Sequence, residues 1–166
     1  NRSYYEDVLV VRVHQELLEA QKLPKKARGK DIWERRFKEI NNFEKYLVDN
    51  GTVVLKFFLN ISKDEQKKRF LARIEAEDKN WKFSVSDYKE RGFWNDYQAA
   101  FEDMLTNTST ERAPWFVIPS DNKWFARLAI SQIVTTAMEA LELKVPKVDE
   151  TRRKDLAKIR EQLLSE

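Results

Sequence analysis

Two short stretches of the chain carry almost unbroken apolar side chains. One runs through residues 52–61, Thr-Val-Val-Leu-Lys-Phe-Phe-Leu-Asn-Ile, between Gly51 and Ser62; the other is Pro-Trp-Phe-Val-Ile-Pro at residues 114–119. Both have strand length and are rich in β-branched and aromatic residues, as in parallel strands covered on both faces. Elsewhere the apolar positions recur at helical spacing. Residues 4 to about 20 carry Val8, Leu9, Val11, Val13, Leu17 and Leu18. Residues 31 to about 49 open on Asp-Ile-Trp-Glu, which resembles a capping box, and place Ile32, Phe37, Ile40, Phe43, Tyr46 and Leu47 along one side. Ser62-Lys63-Asp64-Glu65 is a capping box that starts a helix directly after the first strand and carries it to about residue 77. Ser84 or Ser86 caps a helix to about residue 105, Asp121 starts one to about 143, and residues 151–164 form a last amphipathic helix behind Pro146. The predicted order is α, α, β, α, α, β, α, α, an α/β pattern. Two strands are few for a parallel sheet, so further strands are expected before residue 1.

Composition narrows the chemistry. The 166 residues contain no cysteine and one histidine, His14. Thiolate chemistry and Cys/His metal clusters are excluded, and a catalytic triad has one candidate base. His14 reads as a structural helix residue. Three scattered glycines build neither GxxxxGK[ST] nor GxGxxG. Lys and Arg number 31 against 28 Asp and Glu, a net +3, so cationic character is local. No apolar run approaches a membrane span and no signal-peptide core precedes residue 15, which gives a cytoplasmic, membrane-free expectation.

Five segments carry candidate chemistry, each with a plain alternative. In the opening stretch, NRSYYEDVLVVRVH, Arg2 suits a bidentate phosphate contact and Glu6 or Asp7 suits Mg²⁺ or its waters; the same acids also suit a helix N-terminus. Lys22 to Lys30 places five basic residues in nine positions, including Lys25, Lys26 and Arg28, which fits a linear polyanion or a solvated loop. Arg69 and Arg73 share a helix face, either as a phosphate clamp or as ion-pair partners of nearby glutamates. Lys82 lies between Trp81 and Phe83, in a lid that presents it to phosphate or in a packed helix–helix turn. The second strand ends in Ser-Asp-Asn-Lys, so Lys123 and Arg127 stand at a strand edge of the kind where α/β sheets bind ligands. Asp121 there also serves as a helix cap.

Taken in order, the blocks NRSYYEDVLVVRVH, GTVVLKFFLNISKDEQKKRF, WKFSVSDY and TSTERAPWFVIPSDNKWFAR resemble the polyphosphate kinase 2 family over nearly residues 1–143. The resemblance implies a P-loop kinase-like, thymidylate kinase-like fold. That fold is a three-layer α/β domain on a parallel sheet, with a helical lid over about residues 63–97. Residues 1–145 would be its C-terminal portion and 146–166 a C-terminal helix. It implies Mg²⁺-dependent phosphoryl transfer between inorganic polyphosphate and nucleoside mono- or diphosphates (ADP/AMP or GDP/GMP). By the same resemblance Arg2, Arg69, Arg73 and Lys82 act on the transferring phosphates. Arg2, Glu6, Asp7 and Arg12 lie near the nucleotide, and Lys123 and Arg127 face polyphosphate; the charge density of the Lys22–Lys30 stretch assigns Lys25, Lys26 and Arg28 to the same polyanion. Homo-oligomers are implied; nucleic acid is not. Asn1 stands where many members have Asp, so a metal ligand there falls to Glu6 or Asp7. The Asn version also matches members that accept monophosphates as well as diphosphates. The family's phosphate loop is expected upstream, and without it the chain is predicted to have little activity alone. A non-enzymatic polyanion-binding helical module, using the Lys22–Lys30 cluster and Arg152, Arg153, Lys154, Lys158 and Arg160, is the competing reading. A nucleoside monophosphate kinase fragment is a third.

Overall fold

The computed structural model describes residues 3–24, 27 and 29–166. The chain divides into two compact units, Asn1–Val134 and Thr135–Glu166.

The first unit is built on two parallel strands, β1 (Lys56–Asn60) and β2 (Trp115–Pro119), paired Lys56 to Trp115 through Asn60 to Pro119. The parallel pairing agrees with the apolar pattern. The expected length and full coverage do not. Only residues 56–60 of the 52–61 run join the ladder, and Pro114 precedes β2. Leu59 is 53% exposed and Val117 is also exposed, so the sheet is not covered on both faces.

The opening helix is broken. A 3-10 turn, Tyr4–Val8, leads to α1 (Val10–Val13), and α2 (Gln15–Ala20) follows His14. At His14 the backbone is non-helical (φ −112°, ψ 86°), which turns the chain between the two short helices. Helix α3 (Ile32–Asp49) forms as expected, although Asp31 makes no side-chain cap. Gly51, at φ +85°, lets the chain leave α3, a backbone state that a Cβ disfavours.

Its inward face is not the one the spacing suggested. Ile32, Phe37 and Ile40 are buried, but the next inward slot holds Glu44, while Phe43 and Tyr46 face outward. Tyr5, Val8, Phe37, Ile40 and Met104 form the core, with Trp33, Phe101 and Trp115 packed against it. Each such side chain stabilises the fold by about 1.5–3 kcal/mol through burial.

After β1, Ser62 Oγ accepts from the Glu65 amide and starts α4 (Lys63–Glu75). Ser84 caps α5 (Val85–Glu90) in a capping box with Asp87. The helix expected to run on from there is interrupted by a 3-10 turn at Arg91–Phe93 before α6 (Trp94–Thr108). Helix α7 (Lys123–Glu139) follows β2 and continues into the second unit. There α8 (Glu150–Ser165) is capped by Asp149, which accepts from the Arg152 amide, and it exposes Leu156, Ile159, Leu163 and Leu164. Among the described residues no helix is long and apolar enough to cross a membrane.

Candidate functional site

The C-terminal ends of β1 and β2 meet at one edge and are laced together. The Ser120 amide continues the ladder by donating to Asn60 O at 2.8 Å. The Ser62 amide donates to Asp121 Oδ1 at 2.8 Å, so Asp121 joins the two turns and does not cap α7 with that oxygen. Arg69, from the first turns of α4, donates Nη2 to Ser120 O at 2.5 Å and to Asp121 O at 3.1 Å. Its Nε donates to Glu65 Oε1 at 2.8 Å. Guanidinium donors used this way hold a charge against carbonyl dipoles and fix both turns. Between them lies a hollow of about 270 Å³ lined by Asn60, Ser62, Ser120, Asp121, Asn122 and Phe125. Lys123 and Arg127 stand on the exposed first turns of α7 beside it and make no ion pair among the described residues.

A larger cavity, about 440 Å³, opens on the other side of the β1 end, beneath α4, α5 and α6. Phe58 of β1, Phe70 of α4 and Trp94, Tyr97 and Phe101 of α6 line it. The polar lining includes Gln66, Gln98, Asp87, Glu90, Arg73 and Arg91. Arg91 Nη1 donates to Lys63 O at 2.7 Å and to Gln66 Oε1 at 2.8 Å, pinning the α5–α6 turn to the start of α4. Glu90 Oε2 receives the Tyr97 hydroxyl at 2.7 Å and lies 2.9 Å from His14 Nε2. The hydrogen bond to His14 holds the Glu90 carboxyl below its ordinary pKa, and burial with the Glu90 contact raises the Tyr97 phenol. Aromatic faces with a few polar groups and two guanidiniums suit a planar ring bearing anionic groups.

The residues picked out by sequence fall in several places. Arg73 lines the larger cavity; Arg69 does not, so the shared helix face does not bring the pair to one ligand wall. Lys82 is exposed, its Nζ 4.9 Å from the Trp81 ring centroid, and Trp81 is itself 73% exposed. The anchor of that turn is Phe83, edge-on to Phe70 at 5.4 Å. Arg12 is ion-paired with Asp103 and lies over the Trp33 ring at 5.6 Å. A second guanidinium over that ring is Arg36, buried and donating to Asp7 O and Gln21 Oε1, each at 2.5 Å. Asp7 accepts from Gln21 at 2.9 Å and lines a separate hollow of about 190 Å³. None of Glu6, Asp7 and Arg12 lines the larger cavity. Arg2, Lys25, Lys26 and Arg28 lie outside the described residues.

The sequence patterns did not single out Arg91, Glu90, Gln66, Trp94 or Tyr97 as lining residues. All five line the cavity. The signal was the i, i+3, i+7 spacing of Trp94, Tyr97 and Phe101, a stripe on one face of a helix.

No group of three or more His, Cys, Asp or Glu converges on a metal position among the described residues. A magnesium ion that arrives with phosphates needs one or two protein carboxylates at most. Asp7 is poorly placed for that part, because its carboxylate is already engaged by Gln21 and lies 3.9 Å from Arg36.

The family described as polyphosphate kinase 2 (PPK2) matches residues 1–146. The chain is 49% identical over 165 residues to an ADP-polyphosphate phosphotransferase of Rhodopseudomonas palustris, covering 99% of this chain and 57% of that protein. It is 42% identical to an AMP/ADP-polyphosphate phosphotransferase of Meiothermus ruber, covering 88% of this chain and 51% of that one. Among solved structures, polyphosphate kinase 2 from Arthrobacter aurescens TC1 superposes with a TM-score of 0.81 at 42% identity, over 96% of this chain and 53% of that one. The chain thus spans about half the length of these relatives.

Proposed function

The chain belongs to the polyphosphate kinase 2 family, and on that premise we propose that it takes part in phosphoryl transfer between inorganic polyphosphate and nucleoside mono- or diphosphates. It would supply the lid side and the strand-end edge of the transfer site. The observation that carries this is the pairing of two unlike binding surfaces at the C-terminal ends of β1 and β2. One is an aromatic cavity with guanidiniums on its wall; the other is an open edge flanked by Lys123 and Arg127. The cavity has the chemistry for a nucleoside, with rings for stacking and Gln, Asn and carboxylate groups for its edge. The exposed edge has the chemistry for a chain of phosphates. The names of the relatives, which include ADP and AMP/ADP phosphotransferases, support both acceptor types.

In this site Arg73 would neutralise phosphate charge and Arg69 braces both strand-end turns, while Lys82, exposed beside Trp81, lines neither hollow and would meet phosphate only from the solvent side. Such transfer depends on positioning and charge neutralisation rather than on a protein nucleophile. Mg²⁺, held by the phosphates and one carboxylate such as Glu6, would neutralise phosphate oxygens when bound. The phosphate-cradling loop and the further strands of a three-layer sheet are taken to come from outside these 166 residues.

Calorimetric titration of the chain with polyphosphate, AMP and ADP tests the assignment. Trp94→Ala should weaken nucleotide binding by about the worth of one stacked base, roughly 1–3 kcal/mol, and leave polyphosphate binding unchanged. Polyphosphate binding with no nucleotide binding at all would favour the polyanion-binding module instead.

A further inference from the structure

The single histidine of the chain is placed where its proton decides a contact. His14 interrupts the helix pair α1–α2, and its side chain is 17% exposed. One ring nitrogen, Nδ1, lies 3.2 Å from Glu16 Oε1; the other, Nε2, lies 2.9 Å from Glu90 Oε2, 76 positions further along the chain. The ring packs edge-on against Phe93 at 4.9 Å. The Glu90 oxygen also takes the Tyr97 hydroxyl, and both Glu90 and Tyr97 line the 440 Å³ cavity.

A neutral imidazole has one N–H and one lone pair, so it can donate to only one of two carboxylates and must turn its lone pair toward the other. Only the imidazolium donates to both. Two carboxylates beside one ring therefore favour the charged form.

We propose that His14 is a positioning residue for the cavity: its protonated ring holds the Glu90 carboxylate on the cavity wall and ties α5 to the α1–α2 junction, and the tie loosens when the proton leaves.

The surroundings of His14 favour its charge. Glu16 comes from α2, Glu90 from α5, Tyr97 reaches the shared oxygen from α6, and Phe93 is uncharged. Arg12, two residues earlier, is turned to Asp103. The hydrogen bond to Glu90 raises the His14 pKa above its ordinary 6.5, against an opposing effect of burial. The contribution of His14 is thus complete below pH 6.5 and is lost as pH rises through the raised value. Glu90, held below its ordinary value, loses its contribution on the acid side, as pH falls through its folded pKa. The proposal depends on the assigned function only for which ligand enters the cavity.

The test needs no ligand to begin. Because His14 is the one histidine, its ring proton resonance can be followed by NMR without ambiguity. It should titrate above 6.5 in the parent chain and move down in Glu90→Gln. In parallel, amide exchange of α5 is measured against pH relative to α3. In the parent chain α5 protection should fall at least about threefold as pH passes through the His14 titration. In His14→Gln, which keeps one donor, that step should vanish, and α5 should exchange at every pH as the parent does at high pH. Tyr97→Phe, which keeps the ring packing, should retain the step, so a disturbed fold in one variant does not leave the question open.

Identical α5 pH profiles in the parent and His14→Gln, or an unshifted His14 titration, overturn the proposal. AMP or ADP affinity should follow the same step. Failure of both nucleotides to bind at any pH, with the α5 step intact, refutes the nucleoside assignment of the cavity and leaves the tie standing.

Discussion

The two ends of one strand pair treat charge in opposite ways. At the start of β1, Lys56 is 6% exposed and its Nζ donates to Glu44 Oε2 at 2.7 Å, Thr108 O at 2.7 Å and Tyr5 Oη at 3.1 Å. Glu44, 1% exposed, also takes the hydroxyls of Tyr4 at 2.8 Å and Tyr5 at 2.7 Å. The Lys56 ammonium lies 5.2 Å over the Trp115 ring, whose Nε1–H donates to Thr108 Oγ1. All three ammonium protons have acceptors, so the cluster is closed. Four residues on, at the other end of the strand, the turns are open and exposed cations stand beside a hollow with no ion pair among the described residues. The comparison separates charge that fixes the fold from charge left available to a ligand. Burial and a full set of partners mark the first; exposure without an ion-pair partner marks the second.

The largest expected effect lies at the closed end. Glu44→Ala leaves a buried ammonium without its counter-charge and should cost about 3–5 kcal/mol in urea unfolding. Burial already lowers the Lys56 pKa and Glu44 opposes that shift, so the variant removes what keeps the lysine charged. Glu44→Leu with Lys56→Met should recover part of the loss, since no charge is then stranded. Recovery stays incomplete because the Tyr4 and Tyr5 hydroxyls lose their acceptor. A single-variant cost under about 1 kcal/mol would show that the closed end is not structural.

The contrast also explains what could be read from sequence. The parallel pair, the caps at Ser62 and Ser84 and the helices they start followed from local patterns, because capping and strand composition are decided by near neighbours. The inward face of α3 did not. Spacing favoured Phe43 and Tyr46, whereas Glu44 turns inward because its partner is Lys56, a basic residue inside an apolar strand. That lysine was the available hint, since a charge within such a run needs a buried counter-charge. The tie at His14 joins residues 76 positions apart, and no local pattern encodes it. The position of Lys123 and Arg127 at the strand end could be read because they follow the strand closely in sequence. Arg91 was not, because its role is to bond Lys63 and Gln66 on another helix.

Arg69 lies between the two extremes and sharpens the boundary. It is charged and sits at the open strand end, yet its donors are used on Ser120, Asp121 and Glu65. Arg69→Ala should cost about 1.5–3 kcal/mol, the worth of hydrogen bonds from a charged group. Arg69→Lys should recover little, because an ammonium cannot reproduce the fork that spans two carbonyls. A variant that keeps parental stability while polyphosphate binding collapses would move Arg69 to the ligand class.

The smallest effect on stability, and the most direct test of the open end, is expected for Lys123→Ala with Arg127→Ala. Both are exposed and without ion pairs among the described residues, so unfolding should shift by no more than about 0.5 kcal/mol. Polyphosphate affinity should nonetheless fall. Its dependence on salt should flatten by about one unit of log–log slope for each lost contact, because a linear polyanion releases condensed counterions where cations meet it. The same measurement on Arg153→Ala with Lys154→Ala, in α8, gives the opposing case. If the α8 pair carries the salt slope and the α7 pair does not, polyphosphate binds the second unit, and the strand-end edge loses its claim to the phosphates. A slope that falls only with Lys123 and Arg127 fixes the polyanion at the open end of the strands, where the proposed transfer site lies.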